Sequence, residues 1–420
     1  MNTSTIARRA LLGLLTLAVL LPFPASAQTG CDPAFVEDRP AAGAIFVYPT
    51  GEDDSANLQC ALELATEKRV ANVRLARGEF AVSGVEIYDF YGTLQGAGRS
   101  STVLNLYPNG VSCGTERQTP LTFRRGDFKI KYLTIRALST CQGTDNSYTA
   151  IALYGRPKGA GCDPDVLFAR FERITMETDE QEGENRITAV RAGAEAAFTL
   201  DGCSRFLLGK LDVWRSTFRG FNRVIAARMQ GHATVDISNN RFENCTNAFN
   251  TDLASQDTSI VGNYFGPDAE SRSRRSVAIA HGRARNFDPN DIRVERNTFI
   301  LNQGGSAFTT VGRAEDITPR QSAITIANNL IEIEQSAGPT SVAVINIDAY
   351  NGGVIKNNLM TGTAARNGVL FSGARMIDGW LIDGNDFGGN PIRFDPYIGV
   401  TIGDNFIGED QNTTVIYEGF

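Results

Sequence analysis

From residue 234 onward the chain repeats one phrase of alternating apolar and polar positions. It reads Val235-Asp-Ile237-Ser-Asn-Asn240-Arg-Phe242, then Ser259-Ile260-Val261-Gly262-Asn263-Tyr264-Phe265, then Ile292-Arg-Val294-Glu-Arg-Asn297-Thr-Phe299. Shorter copies follow at Asn329-Leu330, Asn358-Leu359, Asn385-Asp-Phe387 and Asn405-Phe406. From one large apolar residue to the next, starting at Phe242, the steps are 23, 34, 31, 29, 28 and 19 residues. Alternation with period two marks a strand, and strand units recurring at a loose period mark a stacked coil. Asn tolerates the left-handed backbone conformation better than other non-glycine residues, so it is expected to turn the chain between strands. The large apolar residue then faces inward and stacks on its counterpart one rung away, at about 4.8 Å. Stacked Asn amides can hydrogen-bond from rung to rung.

A second strand completes each unit. Short apolar runs lie between the phrases at Ala248–Asp252, Val277–His281, Ala307–Val311, Val342–Ile347, Gly368–Phe371, Pro391–Phe394 and Thr414–Tyr417. Upstream, Ala150–Tyr154, Ile187–Arg191 and Val224–Arg228 fit the same slot. The prediction is an all-β chain, one single-stranded right-handed parallel β-helix of about ten coils filling residues 28–420. Asp53–Lys68 is the one convincing helix, with Leu58, Leu62 and Ala65 on one face and Asp54 or Ser55 as its cap. An open coil end exposes unpaired backbone and core, so this helix is expected to cap it.

Residues 1–27 read as a secretory signal, with Arg8-Arg9, the apolar run Ala10–Leu21 and the small-residue site Ala25-Ser-Ala27. No stretch reaches 18 apolar residues, so membrane insertion is not expected. Loss of Arg8 and Arg9 would move the net charge from −7 to −9, which argues against nucleic acid as a partner. Charge is uneven, however. Residues 205–296 hold 14 basic and 10 acidic side chains, readable as an ion-paired face or as an anion-binding groove. Seven cysteines in an oxidising compartment allow three bridges. Chain order suggests Cys31–Cys60, Cys113–Cys141 and Cys162–Cys203, leaving Cys245 as a small buried residue. No Cys/His spacing fits zinc, and no oligomer interface is apparent, so a monomer is expected.

The helix, Arg77-Gly78-Glu-Phe80, Leu94-Gln-Gly96-Ala-Gly98-Arg-Ser-Ser-Thr102-Val-Leu104 and the Asn-x-Phe coils together resemble the pectin-lyase-like superfamily of right-handed parallel β-helix proteins. The resemblance spans residues 44–420 and implies fold more than activity. Members include polysaccharide lyases, hydrolases, epimerases and surface proteins. It implies that the strand slot holding Ala248–Asp252 and Val277–His281 lines a substrate groove, whose outward polar candidates are Tyr154, Arg191, Arg228, Asn250, Asp252, His281, Arg283, Asn346 and Asp348. Elimination on a uronic acid needs positive charge to neutralise the carboxylate and a base to remove the α-proton. Arg228 and Arg283 with His281 are the catalytic candidates, and Tyr154, Arg191, Asn250, Asp252, Arg285 and Asp348 the substrate-binding ones. Family motifs match only in part. Ala280 stands where the alginate/chondroitin-lyase branch has its Arg, Ser255 or Gln256 stands near its Lys, and Asn250-Thr-Asp252 alone matches the polygalacturonase set. Asp288-Pro-Asn290-Asp291 lacks the His of the epimerase motif. Ca²⁺ is a candidate cofactor through Asp252, Asp257, Asp288 and Asp291, and an acidic loop spans Glu177 to Glu184. The expected function is to bind an acidic polysaccharide, with β-elimination as the candidate reaction; the alternative is a non-catalytic surface or periplasmic β-helix for binding or adhesion.

Overall fold

The computed structural model describes residues 31–108, 110, 119–138, 148–154, 167–178, 187–193, 208–228, 234–253, 257–266, 277–282, 291–302, 305–311, 320–334, 343–348, 350–364, 367–372, 377–394, 398–405 and 415–417. They wind into a parallel β-helix with three faces. Each turn lays one strand on each face in a fixed order, shown by Thr234–Ser238 on the second sheet, Arg241–Glu243 on the third and Asn247–Leu253 on the first. The next turn returns to the second sheet at Asp257–Val261, paired in parallel with Thr234–Ser238. Chain chirality gives such parallel crossovers their right hand. All ten strands expected in the second slot are present and adjoin one another on the first sheet, from Thr149–Tyr154 to Val415–Tyr417. Two long strands, Val85–Gln95 and Leu121–Lys131, run through both the first and second sheets. They bend at Asp89 and Arg125, both left-handed at φ 58° and joined by an ion pair.

Inside the coil the aromatic column exists. Phe218, Phe242, Phe265 and Phe299 stack with centroids 5.3, 4.8 and 4.8 Å apart, and Ile331 and Met360 continue the column in register. Here the structure corrects the expectation. Leu330 and Leu359 are not the core members of their copies: each stands one residue early, in register with the outward Thr298, and Leu359 is exposed. Strand parity decides this, because neighbours in a strand face opposite sides.

The asparagines form the predicted ladder but not the predicted corner. The Nδ2 groups of Asn240, Asn263, Asn297, Asn329, Asn358 and Asn385 each donate to the Oδ1 of the next Asn, at 2.9–3.1 Å. Each also donates to a strand carbonyl, as Asn297 does to Ile260 at 2.8 Å. The left-handed residue is instead the one before: Asn239, Gly262, Arg296, Asn328, Asn357 and Gly384. A ladder Asn must bury its amide toward the axis, so the sharp turn falls on its exposed neighbour.

The helix runs Ser55–Lys68 and buries Leu58, Ala61, Leu62 and Ala65 against the first turns of the coil. Asp54 is its N-cap residue, as expected, but the Asp54 side chain makes no bond to the helix amides. Asp54 is buried and accepts from the Thr50 and Ala81 amides, while Asp53 accepts from the Ser55 amide and hydroxyl. Cys31 and Cys60 form a disulfide that ties the chain to this helix. Cys245 is buried, and the other four cysteines lie outside the described residues.

Candidate functional site

Parallel pairing sorts the first sheet into rows. Ile151, Val190, Ile225, Phe249, Ile279, Phe308 and Ile345 form a core row. One residue further along each strand lies the outward row Glu86, Thr122, Ala152, Arg191, Ala226, Asn250, Ala280, Thr309, Asn346, Leu370 and Arg393. Consecutive members are about 4.8 Å apart. Two expected residues, Arg191 and Asn250, share this row, with Asn346 further along. Arg191 lies between two alanines, and its Nε is buried with no hydrogen-bond partner among the described residues. A buried guanidinium N–H without an acceptor is unfavourable by roughly 1–3 kcal/mol.

Other candidates fall elsewhere. Tyr154 is only 5% exposed and lies beneath the Arg124 guanidinium, 5.0 Å from its ring centre; Arg124 in turn pairs with Glu86. Arg124 and Glu86 are not among the expected site residues, although Val85-Glu-Ile87-Tyr and Leu121-Thr-Phe123-Arg alternate as plainly as later strands. Register between the strands of Arg228 and Asp252 shifts: Ala227 opposes Thr251, but Arg228 opposes Leu253. Asp252 is the residue passed over by this bulge, a feature common beside functional sites. Asp348 opposes Ser372, and its carbonyl accepts from the Thr310 hydroxyl at 3.1 Å. His281 does not stand in the Arg191 row. It opposes Thr251 and Thr310, in the row of Leu153, Ala192, Ile347 and Phe371, all buried. Arg283 and Arg285 lie outside the described residues.

No protein-family model matches the chain, and no curated protein matches it at a significant level. Two solved structures are similar. The catalytic domain of a GH87 alpha-1,3-glucanase variant, in complex with tetrasaccharides, has 14% identity and TM-score 0.47 over 91% of this chain and 69% of its own. The A-module of the Azotobacter vinelandii mannuronan C-5 epimerase AlgE4 has 14% identity and TM-score 0.40 over 88% of this chain and 94% of its own. At such identity, catalytic residues do not transfer.

Much of the arginine excess sits on the other two sheets. On the third sheet Arg136 pairs with Glu177 at 2.8 Å, Arg219 with Glu243 at 2.6 Å and Arg241 with Glu243 at 2.7 Å. Burial raises the Glu243 carboxyl, but its bonds from Arg219 and Arg241 outweigh this and hold it below its ordinary pKa. On the second sheet Arg293 pairs with Glu295 at 2.9 Å. Asp257 and Asp291 are neighbours there, and burial chiefly, then Asp257, pushes the Asp291 pKa up against the pull of Arg293. This pair stands on a different sheet from Asp252, and Asp288 lies outside the described residues. Among the described residues no group of three or more His, Cys, Asp or Glu side chains could hold a metal ion, so Ca²⁺ has no assigned ligands.

Proposed function

We propose that this is an exported protein that takes an acidic polysaccharide along the outward row of the first sheet, with Arg191 as the anchor for a uronate carboxylate. The single observation behind this reading is Arg191 itself: a guanidinium with a buried, unsatisfied Nε, set between Ala152 and Ala226 in a row of mixed polar and small or apolar residues. Asn346, whose Oδ1 already accepts from the Ser372 hydroxyl at 3.2 Å, offers its Nδ2 to a hydroxyl further along the row. The likeness to polysaccharide-acting enzymes and the Cys31–Cys60 bridge accord with an exported, glycan-directed chain. The helix Ser55–Lys68 serves as the cap of the N-terminal end.

β-Elimination is the chemical extension of the same reading. Arg191 and Arg228 would neutralise the carboxylate, with His281, Arg283 and Arg285 as the remaining candidates. The row occupied by His281 favours the second reading, a non-catalytic binding or adhesion β-helix, because it is the row of core residues. Incubation with alginate, pectate and chondroitin, followed by the ultraviolet absorbance of unsaturated ends and by retardation in gels containing each polymer, separates the two. Retardation with absorbance supports a lyase; retardation alone supports a binder. Retardation by no polyuronate contradicts both.

A further inference from the structure

Five large apolar side chains are exposed among the described residues, and three of them gather within two rungs of one another at one corner of the coil: Tyr88, Tyr91 at 61% and Phe168 at 43% exposure. Tyr91, Asp127 and Phe168 stand in one outward row of the second sheet, each in register with the next. The two rings are thus two rungs apart, about 10 Å, with the exposed Asp127 between them. Tyr88 lies just around the corner on the first sheet and donates to Glu86 at 3.0 Å. The corner is rigid. Asp89 and Arg125 both hold left-handed conformations and are ion-paired across the rung, and a Cβ on Gly126 would meet the Phe90 carbonyl oxygen at 2.2 Å.

Core packing does not require these rings, since Phe90, Phe123 and Phe128 already fill the interior behind them. A protein partner would call for a contiguous apolar patch, whereas here carboxylates interrupt the rings. We infer that this corner is a second carbohydrate site, separate from the Arg191 row, for a neutral, hydroxyl-rich glycan laid parallel to the coil axis. Pyranose rings would stack their C–H faces on Tyr91 and Phe168, whose separation suits a disaccharide, and Asp127 would accept hydrogen bonds from hydroxyls between them. Asp127, exposed between the two rings, offers acceptors to hydroxyls and no cation to a carboxylate, so the two sites would take different polymers or different blocks of one polymer. The inference does not depend on the acidic-polysaccharide reading.

The test uses native gels containing hydroxyethyl cellulose, dextran or galactomannan, with alginate and pectate gels as a separate arm. Wild-type full chain is expected to be retarded by at least one neutral polymer. The Tyr91→Ala/Phe168→Ala double variant should lose that affinity by about ten-fold or more, while Phe168→Tyr retains it and Arg191→Ala leaves it unchanged. Retardation by the polyuronates should survive the double substitution, so failure at the corner and failure at the Arg191 row are distinguishable. Both substitutions are at exposed positions, and circular dichroism checks the fold. Wild type unretarded in every neutral gel, or a double variant retarded like wild type, overturns the inference. So does sedimentation showing a wild-type dimer that the double variant abolishes, which would make the corner a contact between copies.

Discussion

The side chains of the inner ladder asparagines Asn263, Asn297, Asn329 and Asn358 each make four hydrogen bonds at buried positions, so single side chains here should matter more than their size suggests. Asn297 donates to Ile260 and Asn329 and accepts from the amide and the side chain of Asn263. Asn297→Ala would remove all four bonds, and its expected cost is roughly 3 kcal/mol or more, read from the urea midpoint; the neighbouring Thr298→Ala should move it little. Arg296, one residue earlier, carries the left-handed strain at φ 53°. Arg296→Gly relieves about 1 kcal/mol of that strain, so its midpoint should not fall. If Asn instead held the corner, the effects would be reversed. Asn-x-Phe spacing reveals the ladder, but which neighbour turns left-handed depends on which side chain must reach the axis. Leu330 and Leu359 mislead similarly, since two adjacent apolar residues leave strand parity undetermined until the neighbouring rung is known.

Elements were more legible than their ends. Helix 55–68 was visible because Leu58, Leu62 and Ala65 fall on one face, but its capping bonds were not, because three adjacent acceptors competed and tertiary contacts chose between them. Asp54 went to the strand at Ala81 and Asp53 to the helix. Burial works to raise Asp53, yet hydrogen bonds from Ser55 and Ser83 prevail and its pKa is lowered. A lowered folded pKa stabilises above the unfolded value of about 3.9 and loses that contribution as pH falls through the folded value. Asp53→Asn should therefore weaken the fold at neutral pH and flatten its acid limb in thermal melts taken from pH 6 to 2. Asp291 has the opposite sign: its raised pKa means the ionised form is disfavoured when folded, so Asp291→Asn should raise the neutral-pH melting temperature. At the N-terminus, the Cys31–Cys60 bridge closes a 29-residue separation. Its removal by Cys31→Ser/Cys60→Ser should cost about 3–4 kcal/mol by chain entropy, seen as a lower melting temperature that reductant reproduces in wild type.

Across the molecule, the three faces divide the work. The interior is a continuous column, the third sheet an ion-paired flank whose exposed bridges contribute at most about 1 kcal/mol each, and the first sheet a mostly polar row with one guanidinium set apart. Coil number and strand slots were legible because they repeat. The site was legible only in outline: Arg191 and Asn250 could be placed by alternation, but nothing local foretold the bulge that passes over Asp252 or the row that takes His281. The most direct measurement is a crystal structure of the full chain with a uronate tetrasaccharide. A carboxylate hydrogen-bonded to the Arg191 guanidinium, with sugar rings following Asn250 toward Asn346, is the predicted result. Sugar bound on another face, with Arg191 Nε still without a partner, would contradict it.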